Sequence, residues 1–327
     1  MDSTTARQFW VRSPGKGEIV TVDLPPMQEG EVAVRTLFSG ISRGTEAMVF
    51  RGEVPESQFE VMRSPFQDGE FPAPVKYGYS SVGEVIDGPT ELIGEVVFCL
   101  HPHQDIYCVP TAAVHCLPVG LPAERAVLAA NAETALNAIW DATPGPGDRI
   151  VVIGGGVIGL LAAWICEGIP GTDVTLFDTN MNRASVAERL GLSFVSAPPT
   201  DANADLVIHA SGSPAGLQCA LGVAGVEATI IDVSWYGTKT VPLALGEAFH
   251  SRRLTIRSSQ VGRIPPHRSP RWDFRRRMRS ALDLLSDPRL DILVSHESDF
   301  ETLPDIMLGL SKNSTDVLCH RVRYPRD

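Results

Sequence analysis

Residues 147–178 read GDRIVVIGGGVIGLLAAWICEGIPGTDVTLFD, and this stretch decides the fold. Arg149–Ile153 is a short β-branched run, the pattern of a strand buried on both faces. Gly154-Gly155-Gly156-Val157-Ile158-Gly159 then supplies G-x-G-x-x-G, and Leu160–Cys166 reads as the helix that follows. The first glycine makes a tight turn, the second admits a pyrophosphate to the backbone, and the third lets helix and strand pack closely. The helix's N-terminal amides and dipole meet the phosphate charge. A second strand, Val174–Phe177, ends on Asp178, where a carboxylate accepts hydrogen bonds from an adenosine ribose. An ordinary glycine-rich turn leaves that acid unexplained. The stretch predicts a dinucleotide site at Gly154, Gly155, Gly156, Val157, Ile158, Gly159 and Asp178.

Downstream, a helix over Arg183–Leu190 and strands at Leu206–His209, Ala228–Val233 and Leu254–Ser258 are expected. Strands separated by helices imply a parallel, doubly wound sheet. A helix over Trp272–Leu285 and a short αβ tail close the chain. Upstream, Gln8–Arg12, Glu18–Val22, Glu31–Leu37, Ile93–Leu100 and Asp105–Val109 are β-like runs between turn clusters. Nothing there has the period of a long helix, so an all-β domain is expected. Leu121–Asp141 carries apolar residues at helical spacing and should bridge into the nucleotide domain. The expected domains are 1–120, completed by about 287–327, and 121–286.

The 327 residues suffice for two domains, and 20% charged with 43% apolar residues is ordinary for a globular enzyme. The N-terminal MDSTTARQFW lacks the basic and apolar regions of a signal peptide. The apolar run Ile150–Cys166 holds four glycines and is not read as a membrane span. Six cysteines without C-x-x-C suit reduced thiols in a cytoplasmic protein. The net charge of −11 is uneven: residues 251–279 hold ten arginines against the single Asp273. A solvated or intersubunit face is one reading of that run, and a rim attracting an anionic substrate or cofactor phosphates is another. An acidic chain without a reader motif gives no expectation of nucleic-acid binding.

A β-rich domain of about 120 residues, a Rossmann domain and a returning tail resemble the medium-chain dehydrogenase/reductase superfamily. PGPGDRIVVIGGGVIG resembles that family's strand-turn-helix, and DLVIHASGS its fourth strand. The resemblance implies an α/β fold: a GroES-like β-rich N-terminal domain plus a Rossmann domain with a doubly wound parallel sheet. GISRGTE, VKYGY, FCLHPHQ, NAETALNAIWD, SWYG and FHSRRLTIRSSQVG together resemble one branch. That branch is zinc-independent and includes 2-desacetyl-2-hydroxyethyl bacteriochlorophyllide a dehydrogenase and related alcohol dehydrogenases. It implies NAD(H)-dependent interconversion of a secondary alcohol and a ketone. A side chain on a planar ring, a bacteriochlorophyllide or a smaller heterocycle such as a pterin, is the implied substrate. The alternatives are an NADPH-dependent quinone or enoyl reductase and a non-catalytic dinucleotide-binding protein.

Zinc alcohol dehydrogenases of the superfamily hold their catalytic metal with a Cys, a His and a second Cys. The resemblance sets these positions on Ser42, Tyr79 and Ala130–Asn131, which do not make a zinc shell. Cys99, His101, His103 and Cys108 are more in keeping with packing or a polar rim, so no metal is expected. Proton transfer then falls to a hydroxyl or an acid. Tyr79 is the first candidate. By the same resemblance Thr45 relays the proton, with Ser42 as an alternative, Glu46 stands behind them, and Arg43 reaches the pyrophosphate. Thr45 and Glu46 equally suit a helix start.

Thr134 matches the position against the nicotinamide, beside a Glu133 read as a solvent-facing acid. Asp178 suits the 2′-hydroxyl of NAD and repels the phosphate of NADP, and Arg183 matches a residue of the family's NAD enzymes. Ser211 and Val233 should edge the cofactor cleft. Trp235 and Tyr236 offer a flat wall to a substrate, with His101 as a further substrate-facing candidate. By family analogy Leu254–Ser258 is the edge of a homodimer.

Overall fold

The computed structural model describes residues 5–200, 202–312 and 316–325. By internal contacts the chain forms two units, residues up to Ala130 together with those from Leu282, and Asn131–Ala281. The division falls inside the bridging helix rather than at residue 121, and that helix is tied to the second unit by Asp141, which accepts from Arg257 and Ser259.

In the first unit the strands are β1 (Thr5–Ser13), β2 (Lys16–Asp23), β3 (Glu31–Ile41), β4 (Asp68–Gly69), β5 (Val75–Lys76), β6 (Ser81–Asp87), β7 (Val96–Cys99), β8 (Ile106–Pro110) and β9 (Val114–Cys116). The tail adds β16 (Val294–Asp299) and β17 (Cys319–Arg323). One sheet runs β2-β1-β5-β4. The other runs β16-β17-β3-β6-β7-β9, with β8 also on β3. Alternation directs Val32 and Val34 of β3 inward, onto Val85, Val97 and Tyr107.

The all-β expectation needs a correction, because helix α1 (Arg43–Phe50) follows β3 directly. Ser42 is its N-cap residue, and Glu46 reaches back to accept the Ser42 amide at 2.8 Å. Glu46 thus satisfies the cap residue's own amide at the start of a helix eight residues long. Helix α8 (Leu303–Ser311) packs against α1 and β2.

Helices α2 (Ala123–Ala126) and α3 (Ala129–Ala142) lead to the second unit. Its sheet holds β10 (Arg149–Ile153), β11 (Asp173–Phe177), β12 (Ser193–Val195), β13 (Ala204–His209), β14 (Ala224–Asp232) and β15 (Thr255–Ser258). The order is β12-β11-β10-β13-β14-β15, and every pairing is parallel. Helices α4 (Val157–Glu167), α5 (Arg183–Arg189) and α6 (Pro214–Val223) supply the crossovers, and α7 (Phe274–Leu284) follows the last strand. The order reverses between β10 and β13, and the crevice beyond the strand ends there is where open α/β sheets bind ligands. Strand β12 escaped the sequence reading: three residues at a sheet end carry no apolar run.

The arginines of 251–279 are largely fastened within this unit. Arg277 is 2% exposed and donates to Glu133 Oε1 (3.0 Å), Asn137 Oδ1 (2.6 Å) and the Val261 carbonyl (2.6 Å). Arg252 donates to the carbonyls of Gly222 and Ala224, at the end of α6. Arg257 pairs with Asp141, and Arg253 with Glu227. Arg268 and Arg276 lie over the rings of Trp140 and Trp272.

Candidate active site

In the second unit β10 delivers the chain to the glycine turn. Gly154 has φ +108°, a conformation that strains any side chain, and a Cβ there would lie 2.7 Å from the Ser211 backbone. A Cβ on Gly159 would stand 1.8 Å from the Gly154 carbonyl oxygen, so helix and strand touch through backbone alone. Gly156 is the N-cap of α4, followed by Val157 and Ile158. The first-turn amides have no partner inside the helix, and with the helix dipole they suit a pyrophosphate.

Asp178 follows β11 and is fixed by two amides. Its Oδ2 accepts Gly155 N–H at 2.6 Å and its Oδ1 accepts Asn180 N–H at 2.7 Å. A carboxylate so held has lone pairs left for hydroxyl donors. Arg183, at the start of α5, is buried, and a Cβ on Gly155 would meet its side chain at 3.1 Å and that of Asp178 at 3.2 Å. Glycine turn, acid and arginine are thus one assembly.

Ser211 follows β13 and is exposed, while Val233, Trp235 and Tyr236 follow β14 and are half-buried. Tyr236 is tied down at its polar end: its hydroxyl donates to Asp232 Oδ2 at 3.0 Å, and its ring stacks on His209. Thr134 lies on α3, half-buried. Its neighbour Glu133 is not solvent-facing but buried against Arg277. Burial raises the Glu133 carboxyl above its ordinary value, with Arg277 acting against the rise. Helical periodicity alone could not reveal a partner 144 residues away.

In the first unit the structure brings Tyr79, Ser42, Thr45 and Glu46 together. The Tyr79 hydroxyl lies near the side chains of Ser42 and Thr45, whose polarity works to lower its pKa. Burial first, and then the charge of Glu46, pushes it up to about 12. Tyr79 therefore keeps its proton throughout the neutral range. Arg43 is the first residue of α1 and half-buried.

Behind this cluster runs a chain that the sequence reading missed. Glu46 Oε2 meets His103 Nε2 at 2.8 Å, His103 Nδ1 meets Ser39 Oγ at 2.7 Å, and Ser39 Oγ meets the Tyr324 hydroxyl at 3.0 Å. All four side chains are buried. Nothing local in the sequence joins residues from β3, α1, the HPHQ loop and the C-terminal tail. His101 is also buried, its ring stacked on Tyr107 at 3.7 Å and its Nδ1 against its neighbour's carbonyl. Burial and the charge of Lys76 bring its imidazole down to about 3.

The donor set does not fit a catalytic zinc. Tetrahedral zinc takes thiolate, imidazole and carboxylate ligands, whereas Ser42 and Tyr79 bring hydroxyls. His103 is engaged by Glu46, and Cys99 by Tyr107. Among the described residues no three His, Cys, Asp or Glu side chains come together to hold a metal ion. The glycine turn with Asp178, by contrast, fits a dinucleotide.

A β-rich unit joined to a parallel sheet of Rossmann order, with a glycine turn after β10 and an acid ending the next strand, has the fold of a dinucleotide-binding dehydrogenase. The family model "Alanine dehydrogenase/PNT, C-terminal domain" matches residues 134–237. D-guloside 3-dehydrogenase of Escherichia coli (strain K12) is 26% identical over 289 residues, 80% of this chain and 83% of that protein. A putative zinc-binding dehydrogenase from Sinorhizobium meliloti 1021, bound to NADP, superposes with TM-score 0.78 at 17% identity, over 98% of this chain and 99% of that one. A short chain alcohol dehydrogenase from E. coli CFT073, complexed with NADH, gives 0.74 at 18% identity, over 98% and 99%. The chain thus shares its fold, over nearly its whole length, with solved dehydrogenases.

Proposed function

We propose that the protein is a zinc-independent, NAD(H)-dependent oxidoreductase interconverting a secondary alcohol and a ketone. The observation that carries this reading is the buried Tyr79 hydroxyl, near Ser42 and Thr45, at the positions the resemblance to zinc enzymes gives to metal ligands. When bound, the nicotinamide dinucleotide supplies the acceptor or donor of hydride. Asp178 accepts the ribose hydroxyls, and a 2′-phosphate beside this fixed carboxylate meets like charge, which favours NAD over NADP. Thr134 and Val233 border the cofactor in this reading.

In ketone reduction Tyr79 donates the proton to the carbonyl oxygen, and Ser42 and Thr45 replenish it. In alcohol oxidation the same hydroxyls carry the substrate's proton away. Burial first, and then Glu46 behind them, raises the Tyr79 phenol and keeps it protonated at rest. Trp235 and the ring of Tyr236 provide apolar surface for a planar substrate. The protein acts as a cytoplasmic homodimer in this proposal. The sheet ends on β15, whose residues Thr255, Arg257 and Ser258 are exposed, which supports pairing at that edge.

The test is stopped-flow oxidation of NADH and NADPH against ketones, enones and quinones, with metal analysis of the same preparation. Ketone-dependent NADH oxidation without stoichiometric zinc is expected. Stoichiometric zinc required for turnover, or enone reduction with NADPH alone, would replace the reading.

A further inference from the structure

Four side chains at the C-terminal ends of β13 and β14 form a closed hydrogen-bond relay ending on the exposed Ser211. Asp232 is drawn in two directions: burial raises its carboxyl, while bonds from His209, the Ser234 amide and Tyr236 bring it below its ordinary value. Its Oδ1 lies 2.9 Å from His209 Nδ1 and 3.0 Å from the Ser234 amide, and its Oδ2 accepts the Tyr236 hydroxyl at 3.0 Å. An ionised carboxylate only accepts, so His209 carries its proton on Nδ1 and presents Nε2 as an acceptor. Ser211 Oγ stands 2.7 Å from that Nε2 and gives it the hydroxyl proton. The Ser213 amide donates to Ser211 Oγ at 3.2 Å. His209 is fully buried, and its Nε2 reaches the surface through the exposed Ser211.

With its proton committed inward, Ser211 offers the solvent side a lone pair and nothing to give. It therefore reads a donor, a hydroxyl or an amide, and disfavours a phosphate oxygen. The sheet order selects the donor. Asp178 lies on the β11 side of β10 and Ser211 on the β13 side, directly against the glycine turn. A dinucleotide with one ribose at Asp178 and its pyrophosphate on the turn brings its second ribose to the β13 side.

Resting on the dinucleotide reading above, we infer that Ser211 is a binding residue for a hydroxyl of the nicotinamide-side ribose. His209, Asp232 and Tyr236 are the positioning residues that fix the direction of its hydrogen bond.

Calorimetric titration with NADH and with ADP, which lacks the second ribose and its base, tests this. Ser211→Ala should weaken NADH about tenfold, one hydrogen bond's worth, and leave ADP unchanged. His209→Asn, too short to reach Ser211, should weaken NADH to the same extent. His209→Gln, whose side-chain carbonyl can take the serine proton, should recover most of the loss. Unchanged ADP affinity in each variant shows that the unit still folds. Wild-type NADH affinity in Ser211→Ala, an equal loss for ADP, or no difference between Asn and Gln at 209 would overturn the inference while NADH binding stands. No NADH binding by the wild-type chain would overturn the dinucleotide reading itself.

Discussion

Glu46 and His103 meet inside the first unit, Oε2 to Nε2 at 2.8 Å, with side chains only 2% and 1% exposed. Removing one member of such a pair strands the other without a partner or water. His103→Ala should therefore cost about 3–5 kcal/mol of stability in urea unfolding. His103→Gln, which can still donate to the carboxylate, should cost clearly less.

Tyr79→Phe removes the proposed proton donor and little else of the side chain's volume. The rate of ketone reduction should fall ~10²–10⁴-fold with NADH affinity unchanged. In the wild-type enzyme a phenol held up to about 12 stays protonated below that pH. Ketone reduction should then show no alkaline decline from Tyr79 between pH 8 and 10. Alcohol oxidation, which needs the acceptor form, should rise with pH through the same window in steady-state rates.

Asp178→Ala should weaken NAD binding about tenfold and narrow the preference over NADP, because the ribose acceptor and the repulsion of a 2′-phosphate disappear together. Fluorescence titration with NADH and NADPH reads both effects. An unchanged ratio would mean that something other than this acid sets the preference.

Gly159→Ala puts a methyl group where the Gly154 carbonyl oxygen already stands. Helix α4 must move off β10, at about 1–3 kcal/mol for overpacking. Thermal melting should show the loss, and NADH affinity should fall with it as the phosphate turn is displaced.

His101 is buried with its imidazole brought down to about 3, against 6.5 for the free side chain. A group depressed in the folded state contributes stability above its unfolded value and loses it as pH falls toward the folded one. Stability should therefore drop between about pH 6 and 3, at up to ~1.4 kcal/mol per pH unit from this group. His101→Gln should flatten that slope in urea midpoints measured from pH 7 to 3.5.

The second unit was readable because its signals are local. Strand β10, the three glycines and Asp178 lie within thirty consecutive residues, and both faces of the sheet are covered, which forces apolar runs. Strand β12 was missed because Ser193–Val195 is short and owes its place to pairing with β11, while helix α1 was legible only as a helix start at Thr45 and Glu46, Glu46 folding back on Ser42. Tyr79, Ser42, Thr45 and Glu46 could be named in advance only through the family resemblance. Their supporting residues could not. His103 lies 57 positions from Glu46 and Tyr324 lies 285 from Ser39, and no periodicity spans such distances. The relay behind Ser211 had a weaker signal available, in that a histidine and an aspartate end adjacent strands.

Arg277 gives a last lesson about reading electrostatics from composition. Its guanidinium is enclosed by Glu133, Asn137 and a backbone carbonyl, and so reaches no solute outside. Other arginines of that run clasp carbonyls, carboxylates or indole rings of the same unit. A stretch that looks like a lure for polyanions is in good part internal carpentry. Heparin or an ion-exchange resin would meet a milder surface than a tally of its letters suggests.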